Sequence, residues 1–101
     1  MTREAAPLTP ETEQRLRILF EGWDAEEAAR LLVSECGNNL PFLEHFTPEQ
    51  LERFRFAALK VSGGDLGTLR EAVALAKQDW RDLLVWAGFA RDADIHEKWR
   101  P

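Results

Sequence analysis

The sequence predicts an all-α fold, a compact bundle of four to six helices centred on an antiparallel hairpin between residues 48–62 and 66–87. Three observations support this prediction. Apolar residues recur at intervals of three and four positions, as on one face of a helix. The helix start signal Thr-Pro-Glu precedes two of these periodic stretches. Strand-like alternation, internal repeats and low-complexity tracts are absent from the sequence.

Two helices are predicted before the hairpin. Thr9 can cap the first helix, and Pro10 suits its first position. Asp24, with an acidic residue three positions later, marks the start of the second helix, and Gly37 is a suitable stop. The connector 38–46 contains several apolar residues, so we expect it to fold back on the core.

The first helix of the hairpin has the clearest start signal in the chain. Thr47 can cap this helix, Pro48 suits its first position, and Gln50 can close a capping box. The glycines near residue 63 leave room only for a short turn, so the next helix should run antiparallel. We expect the core of the hairpin to contain Leu51, Phe54, Ala58, Val61, Leu69, Val73, Ala76, Trp80 and Leu83.

The second helix of the hairpin carries the strongest periodic signal. Its apolar residues are spaced 3-4-3-4-3-4 and are Leu66, Leu69, Val73, Ala76, Trp80, Leu83 and Ala87. Such spacing forms an apolar seam along one side of a helix. Asp79 followed by Asp82 could also start a new helix, because aspartate caps well and favours the first turn. A single helix and a bent pair therefore both fit the pattern.

The segment after the hairpin should contain one more short helix. Gly88-Phe89 is typical of a Schellman ending, in which a left-handed glycine is followed by an apolar residue. Asp92 can then start a last helix that carries Ile95 and Trp99.

Composition and charge limit the classes of function. Hydrophobic residues make up 45% and charged residues 31% of the 101 residues, which is ordinary for a globular protein. This length fits one domain, at residues 9–101, after a flexible leader at residues 1–8. The net charge of −5 argues against broad binding to nucleic acid or anionic membrane. The longest apolar run, at residues 83–87, is far too short to span a bilayer.

Cys36 is the only cysteine, so no internal disulfide can form, and a reducing cytosol fits this composition. Cys36 and His45 could suggest nucleophilic catalysis, but a reactive thiolate needs a base that a third group holds in place. We expect instead a buried cysteine at a helix end. Cys36, His45 and His96 are too scattered for a paired-ligand zinc motif. The sequence therefore predicts neither enzyme activity nor a metal or cofactor.

The leading functional hypothesis is a non-catalytic, cytosolic protein–protein interaction module, with a homodimer as one form of it. The chain has four tryptophans, a residue type that is enriched at interfaces. Their ordinary role would be to fill a small core. The functional alternative is that Trp86, Phe89 and Trp99 form a surface for a partner.

A second hypothesis is a helical regulator that binds nucleic acid through a basic stripe across the hairpin. The residues of this stripe would be Arg53, Lys60, Arg70, Lys77 and Arg81. The acidic total and the antiparallel geometry of the hairpin oppose this hypothesis. Solvated helix faces are the ordinary explanation of such residues. A small enzyme that uses Cys36 is the third and least favoured hypothesis.

Overall fold

The computed structural model describes residues 7–36, 47–91 and 95–101. Over these ranges the chain folds as an all-α bundle without strands, which confirms the predicted fold class. Each helix in these ranges is too short or too polar to cross a lipid bilayer. The helices are α1 (Pro10–Leu19), α2 (Gly22–Glu35), α3 (Pro48–Ser62), α4 (Leu66–Ala87) and α5 (Ile95–Lys98).

Two of the predicted helix starts are confirmed in atomic detail. Thr9 Oγ1 accepts a hydrogen bond from the backbone N–H of Thr12 at 3.1 Å. Thr47 and Gln50 form the predicted capping box. The backbone N–H of Thr47 donates to Gln50 Oε1 at 2.9 Å, and the backbone N–H of Gln50 donates to Thr47 Oγ1 at 3.2 Å. These bonds satisfy backbone donors that the first turn of a helix leaves unpaired.

The start of α2 differs from the prediction. The helix begins at Gly22, whose φ of +56° is rarely adopted by other residues and allows a sharp turn after α1. The predicted cap at Asp24 is therefore wrong. Asp24 lies in the first turn instead, where its negative charge interacts favourably with the positive end of the helix dipole. The predicted stop at Gly37 and the connector at 38–46 lie outside the described residues.

α3 and α4 form an antiparallel hairpin with the predicted bounds. Gly63 and Gly64 both have a positive φ, and Asp65 caps the start of α4. A Cβ atom on Gly64 would lie 2.9 Å from the carbonyl oxygen of Leu19. The turn of the hairpin therefore packs directly against the end of α1.

α3 is the central helix of the bundle, because it contacts three other helices, α1, α4 and α5. Of the nine predicted core residues, seven are buried, whereas Val61 and Trp80 are only half-buried. Phe56 and Leu59, which widen the apolar stripe of α3, are also buried. Close approach of α3 and α4 is favoured by fully buried small residues, which are Ala57, Ala58, Ala72 and Ala76.

α4 consists of two helical arms, at residues 66–78 and 80–87, so the structure has the bent pair. Asp79 separates the arms with extended backbone angles, φ −156° and ψ 100°. Its Oδ1 accepts a hydrogen bond from the backbone N–H of Arg81 at 3.0 Å, as expected of a residue that caps the second arm. The pKa of the Asp79 carboxyl is lowered most by a hydrogen bond from the side chain of Arg81 and next by the bond from its backbone N–H.

The bend keeps the second arm on the bundle. A straight helix of 22 residues would be about 33 Å long, whereas the 15 residues of α3 span about 22 Å. After the bend, the ring of Trp80 lies 5.3 Å from the ring of Phe54. Further along, Phe89 is contacted by both Arg53 and Lys60. The second arm therefore lies across α3 instead of extending beyond it.

The second arm ends in the predicted Schellman motif. The N–H of Phe89 donates to the carbonyl of Leu84 at 2.8 Å, and the N–H of Gly88 donates to the carbonyl of Val85 at 3.1 Å. Gly88 has the left-handed φ of +79° that this motif requires. The predicted start of the last helix at Asp92 lies outside the described residues.

Contacts with the domain begin before Thr9. The carbonyl of Pro7 accepts a hydrogen bond from Arg55 Nη1 at 3.0 Å, and Leu8 packs against the core. These two residues, predicted to belong to a flexible leader, therefore contact the folded domain. The rest of the predicted leader, residues 1–6, lies outside the described residues.

We expect Gly64→Ala to lower the free energy of unfolding by about 2–4 kcal/mol, and Gly63→Ala by only about 1–2 kcal/mol. Both alanines would adopt a left-handed backbone, but only the Cβ at position 64 would meet the carbonyl of Leu19. Urea denaturation of the two variants measures the difference. Equal losses would show that the turn does not pack tightly on α1.

We expect Asp79→Ala to lower the free energy of unfolding by about 1 kcal/mol, because the second arm loses its cap. Asp79→Asn is the matched control and should stay within about 0.5 kcal/mol of the wild type, since asparagine accepts the same backbone hydrogen bond. Urea denaturation again provides the measurement. Wild-type stability in Asp79→Ala would mean that the cap does not hold the bend.

Candidate functional site

Val85 and Trp86 form an exposed apolar pair on the second arm of α4. Their exposed fractions are 66% and 47%. The same arm buries Leu83, Leu84 and Ala87 against the core. The arm is therefore anchored along one face and presents two large apolar side chains on the other. We call this pair the Val85–Trp86 patch.

The backbone beneath the patch is fixed at both ends. Asp79 caps the start of the arm, and the carbonyl of Val85 itself accepts a hydrogen bond from Gly88 in the Schellman motif. A binding partner would meet a surface that is already ordered. Such preorganisation reduces the entropy that binding costs.

Phe89 does not belong to this surface, which corrects the sequence-based expectation. It is only 2% exposed, because the apolar residue after a Schellman glycine folds back on its own helix. Trp99 is half-buried, with its ring 6.4 Å from the ring of Phe89 and 6.1 Å from that of Phe56. Of the three residues predicted for a partner surface, only Trp86 is exposed.

The five basic residues of the predicted stripe each contact an acceptor or an aromatic ring. The ion pairs are Lys77–Glu35 at 2.8 Å, Arg70–Glu27 at 3.7 Å and Arg81–Asp79 at 3.3 Å. Arg53 donates a hydrogen bond to the carbonyl of Phe89, and Lys60 Nζ lies 4.9 Å from the centre of the Phe89 ring. The three ion pairs partly offset the positive charge that a phosphate backbone would need.

Cys36 is buried at the end of α2, as expected. Burial raises the pKa of its thiol to about 12, and the nearby charge of Arg55 opposes this shift. A thiol with this pKa is almost entirely protonated near neutral pH and is a poor nucleophile. His45, the predicted companion of Cys36, lies outside the described residues. Within those residues, no group of three or more His, Cys, Asp and Glu side chains could hold a metal ion.

Two further large apolar residues are exposed although the sequence did not predict it: Trp23 on α2 and Ile18 on α1, with exposed fractions of 66% and 59%. A signal for Trp23 was present in the sequence. Residues three and four positions after it, Glu26 and Glu27, share its face of α2 and are both charged. A tryptophan on such a charged face points to solvent.

A cavity of about 390 Å³ lies between residues 9–15 at the beginning of α1, the side of α3, and residues 97–100 in and after α5. This volume is within the range of small-molecule sites, about 300–1,000 Å³. No local motif indicated the cavity, because its walls come from distant parts of the sequence. The charged residues that line it are Glu11, Arg15, Glu52, Glu97 and Arg100.

Comparisons with known proteins provide no relative to guide the interpretation. No protein-family model matches the chain, and neither the curated proteins nor the solved structures contain a match to it.

We expect the Cys36 thiol to react with iodoacetamide at pH 8 at least about 100-fold more slowly in the folded protein than in denaturant. The folded thiol has a pKa of about 12 against an ordinary 9.0, so few folded molecules carry a thiolate. Because the unfolded chain loses this proton more easily, the contribution of the thiol to stability is complete below pH 9.0 and is lost between pH 9.0 and about 12. Equal alkylation rates in the two states would revive the hypothesis of a reactive cysteine.

Proposed function

We propose that this protein is a cytosolic, non-catalytic protein–protein interaction module that binds its partner through the Val85–Trp86 patch. The observation that carries the proposal is the exposure of two adjacent large apolar side chains on a helical arm whose other face is buried. Exposed apolar surface of this kind is typical of interaction sites when polar residues surround it.

The composition of the patch and its surroundings supports this function. Tryptophan is enriched among the few interface residues that contribute most of the binding energy. The residues around such a tryptophan exclude water from it in the complex. Arg81 and Asp82 are exposed one turn before the patch and provide a polar edge to it. An apolar centre with a charged rim is the usual anatomy of a protein interface.

The other hypotheses have less support. Nucleic-acid binding would require the basic side chains to exchange their present contacts for phosphates, in a protein with a net charge of −5. A cysteine enzyme would require a thiolate that the burial of Cys36 disfavours. The cytosolic location in the proposal rests on the single cysteine, which can form no internal disulfide.

Self-association is one form that this function can take. A second copy of the chain would bring a second Val85–Trp86 patch, and most soluble homo-oligomers pair identical surfaces about a two-fold axis. Light scattering of the full chain over a range of concentrations tests this form. A mass that stays at that of one chain would exclude the homodimer and leave a different protein as the partner.

We expect the double variant Val85→Ser/Trp86→Ser to weaken partner binding by at least about tenfold, because truncating a central interface tryptophan commonly has this effect. Ile18→Ser/Trp23→Ser is the matched control, since it removes two exposed apolar side chains of similar size from other helices. Proteins captured from the native host by the wild-type chain should be identified by quantitative mass spectrometry. The main partner is then purified and titrated against all three chains.

The proposal requires that the control binds as well as the wild type while the patch variant does not. Equal binding by both variants, or a loss only in the control, would contradict it. Urea denaturation should show that both variants are folded, and exposed positions such as these are expected to change stability by about 0.5 kcal/mol or less.

A further inference from the structure

The cavity beside α1 contains a buried charge that no acidic side chain of the described residues neutralises directly. Arg15 is only 4% exposed. Its nitrogens donate to the backbone carbonyls of Glu11 at 3.0 Å, Trp99 at 3.1 Å and Glu97 at 3.4 Å. These acceptors are uncharged, and among the described residues no carboxylate forms an ion pair with Arg15.

The guanidinium of Arg15 is held rigidly but retains unused hydrogen-bond donors. Its central carbon lies 4.2 Å from the centre of the Phe56 ring, and three of its five N–H groups are engaged by the carbonyls. Each terminal nitrogen therefore keeps one N–H for which the described residues provide no acceptor. Arg100 lies on the same cavity and adds a second positive charge.

The same cavity also contains negative charge. Glu52 accepts hydrogen bonds from the hydroxyls of Thr9 and Thr12 on a single oxygen, Oε1. Glu11 and Glu97 add two further carboxylates to the lining. Burial and Arg100 lower the pKa of Arg15, while Glu52 and Glu11 raise it, so these groups interact electrostatically across the cavity. Positive and negative side chains of the described residues therefore line the same cavity without forming an ion pair with one another.

We propose that this cavity binds a small molecule that carries both a carboxylate and an ammonium group, of the class of the free α-amino acids. The carboxylate would be held by Arg15 and Arg100, and the ammonium by Glu52 and Glu11. A simple anion would face the carboxylates of the cavity, and a simple cation would face its arginines. Only a ligand with both charges satisfies the two sides at once, because each charge then gains a charge-assisted hydrogen bond.

The first test is titration calorimetry of the full-length chain with the standard L-amino acids. We expect at least one of them to bind with a Kd in the millimolar range or tighter. The N-acetyl derivative of that amino acid lacks the ammonium, and its methyl ester lacks the carboxylate. Each derivative should bind about 10- to 100-fold more weakly than the parent, because it loses hydrogen bonds between charged groups.

The second test assigns the two charges to the two sides of the cavity. Glu52→Gln should weaken binding of the amino acid about tenfold and leave binding of the N-acetyl derivative unchanged. Arg100→Gln should also weaken binding of the amino acid about tenfold, and it should leave binding of the methyl ester unchanged. Arg17→Gln and Glu13→Gln are matched controls, since this exposed pair lies on α1 but does not line the cavity.

Absence of binding by every amino acid would overturn the proposal. So would equal affinity for the parent and its two derivatives, or equal weakening by the variants and their controls. Because glutamine can still accept the threonine hydroxyl bonds of Glu52, and Arg100 is exposed, both variants are expected to fold, which urea denaturation checks. The partner-binding experiment with the Val85–Trp86 patch is independent of these outcomes.

Discussion

Arginine side chains that donate to backbone carbonyls join the two ends of the chain and the end of α2 to the rest of this bundle. Arg55, which is 2% exposed, donates from Nε to the carbonyl of Cys36 and from Nη1 to that of Pro7, both at 3.0 Å. Arg15 does the same for Glu97 and Trp99, more than 80 positions along the chain. Helix ends and loops leave carbonyls without partners, and a guanidinium offers five donors to satisfy them. Removing Arg55 would therefore take a donor from two carbonyls at once, and the bond to the carbonyl of Cys36 is buried.

The bend at Asp79 allows a long helix to serve two purposes. The first arm completes the hairpin core with α3, while the second arm lies across α3 and carries the Val85–Trp86 patch. Both ends of the second arm are fixed by local hydrogen bonds. The exposed pair is thus part of the rigid framework, and its position follows from the backbone angle of one residue.

The helices were predictable because their signals are local. Thr47 and Gln50 lie three positions apart, and the Schellman motif spans only a few residues. Exposure and burial of individual side chains were harder to infer, because they depend on distant segments. Phe89 was assigned to a surface but is covered by the segment around Trp99, and the burial of Arg15 requires acceptors that no nearby sequence indicates. A charged residue is usually exposed, so local patterns favoured the wrong environment for such arginines.

The bond between Arg15 and the carbonyl of Trp99 also has a consequence for the order of folding. It joins residues 84 positions apart, whereas the α3–α4 hairpin closes through a turn of three residues. Loop closure costs more entropy as the loop lengthens, so the hairpin can assemble well before this bond forms. Until then the guanidinium stays hydrated and the ring of Phe56 lacks its cover from Trp99. We therefore expect residues 95–101 to dock after the hairpin has assembled, and a chain stalled before this step would expose apolar surface that the native state conceals.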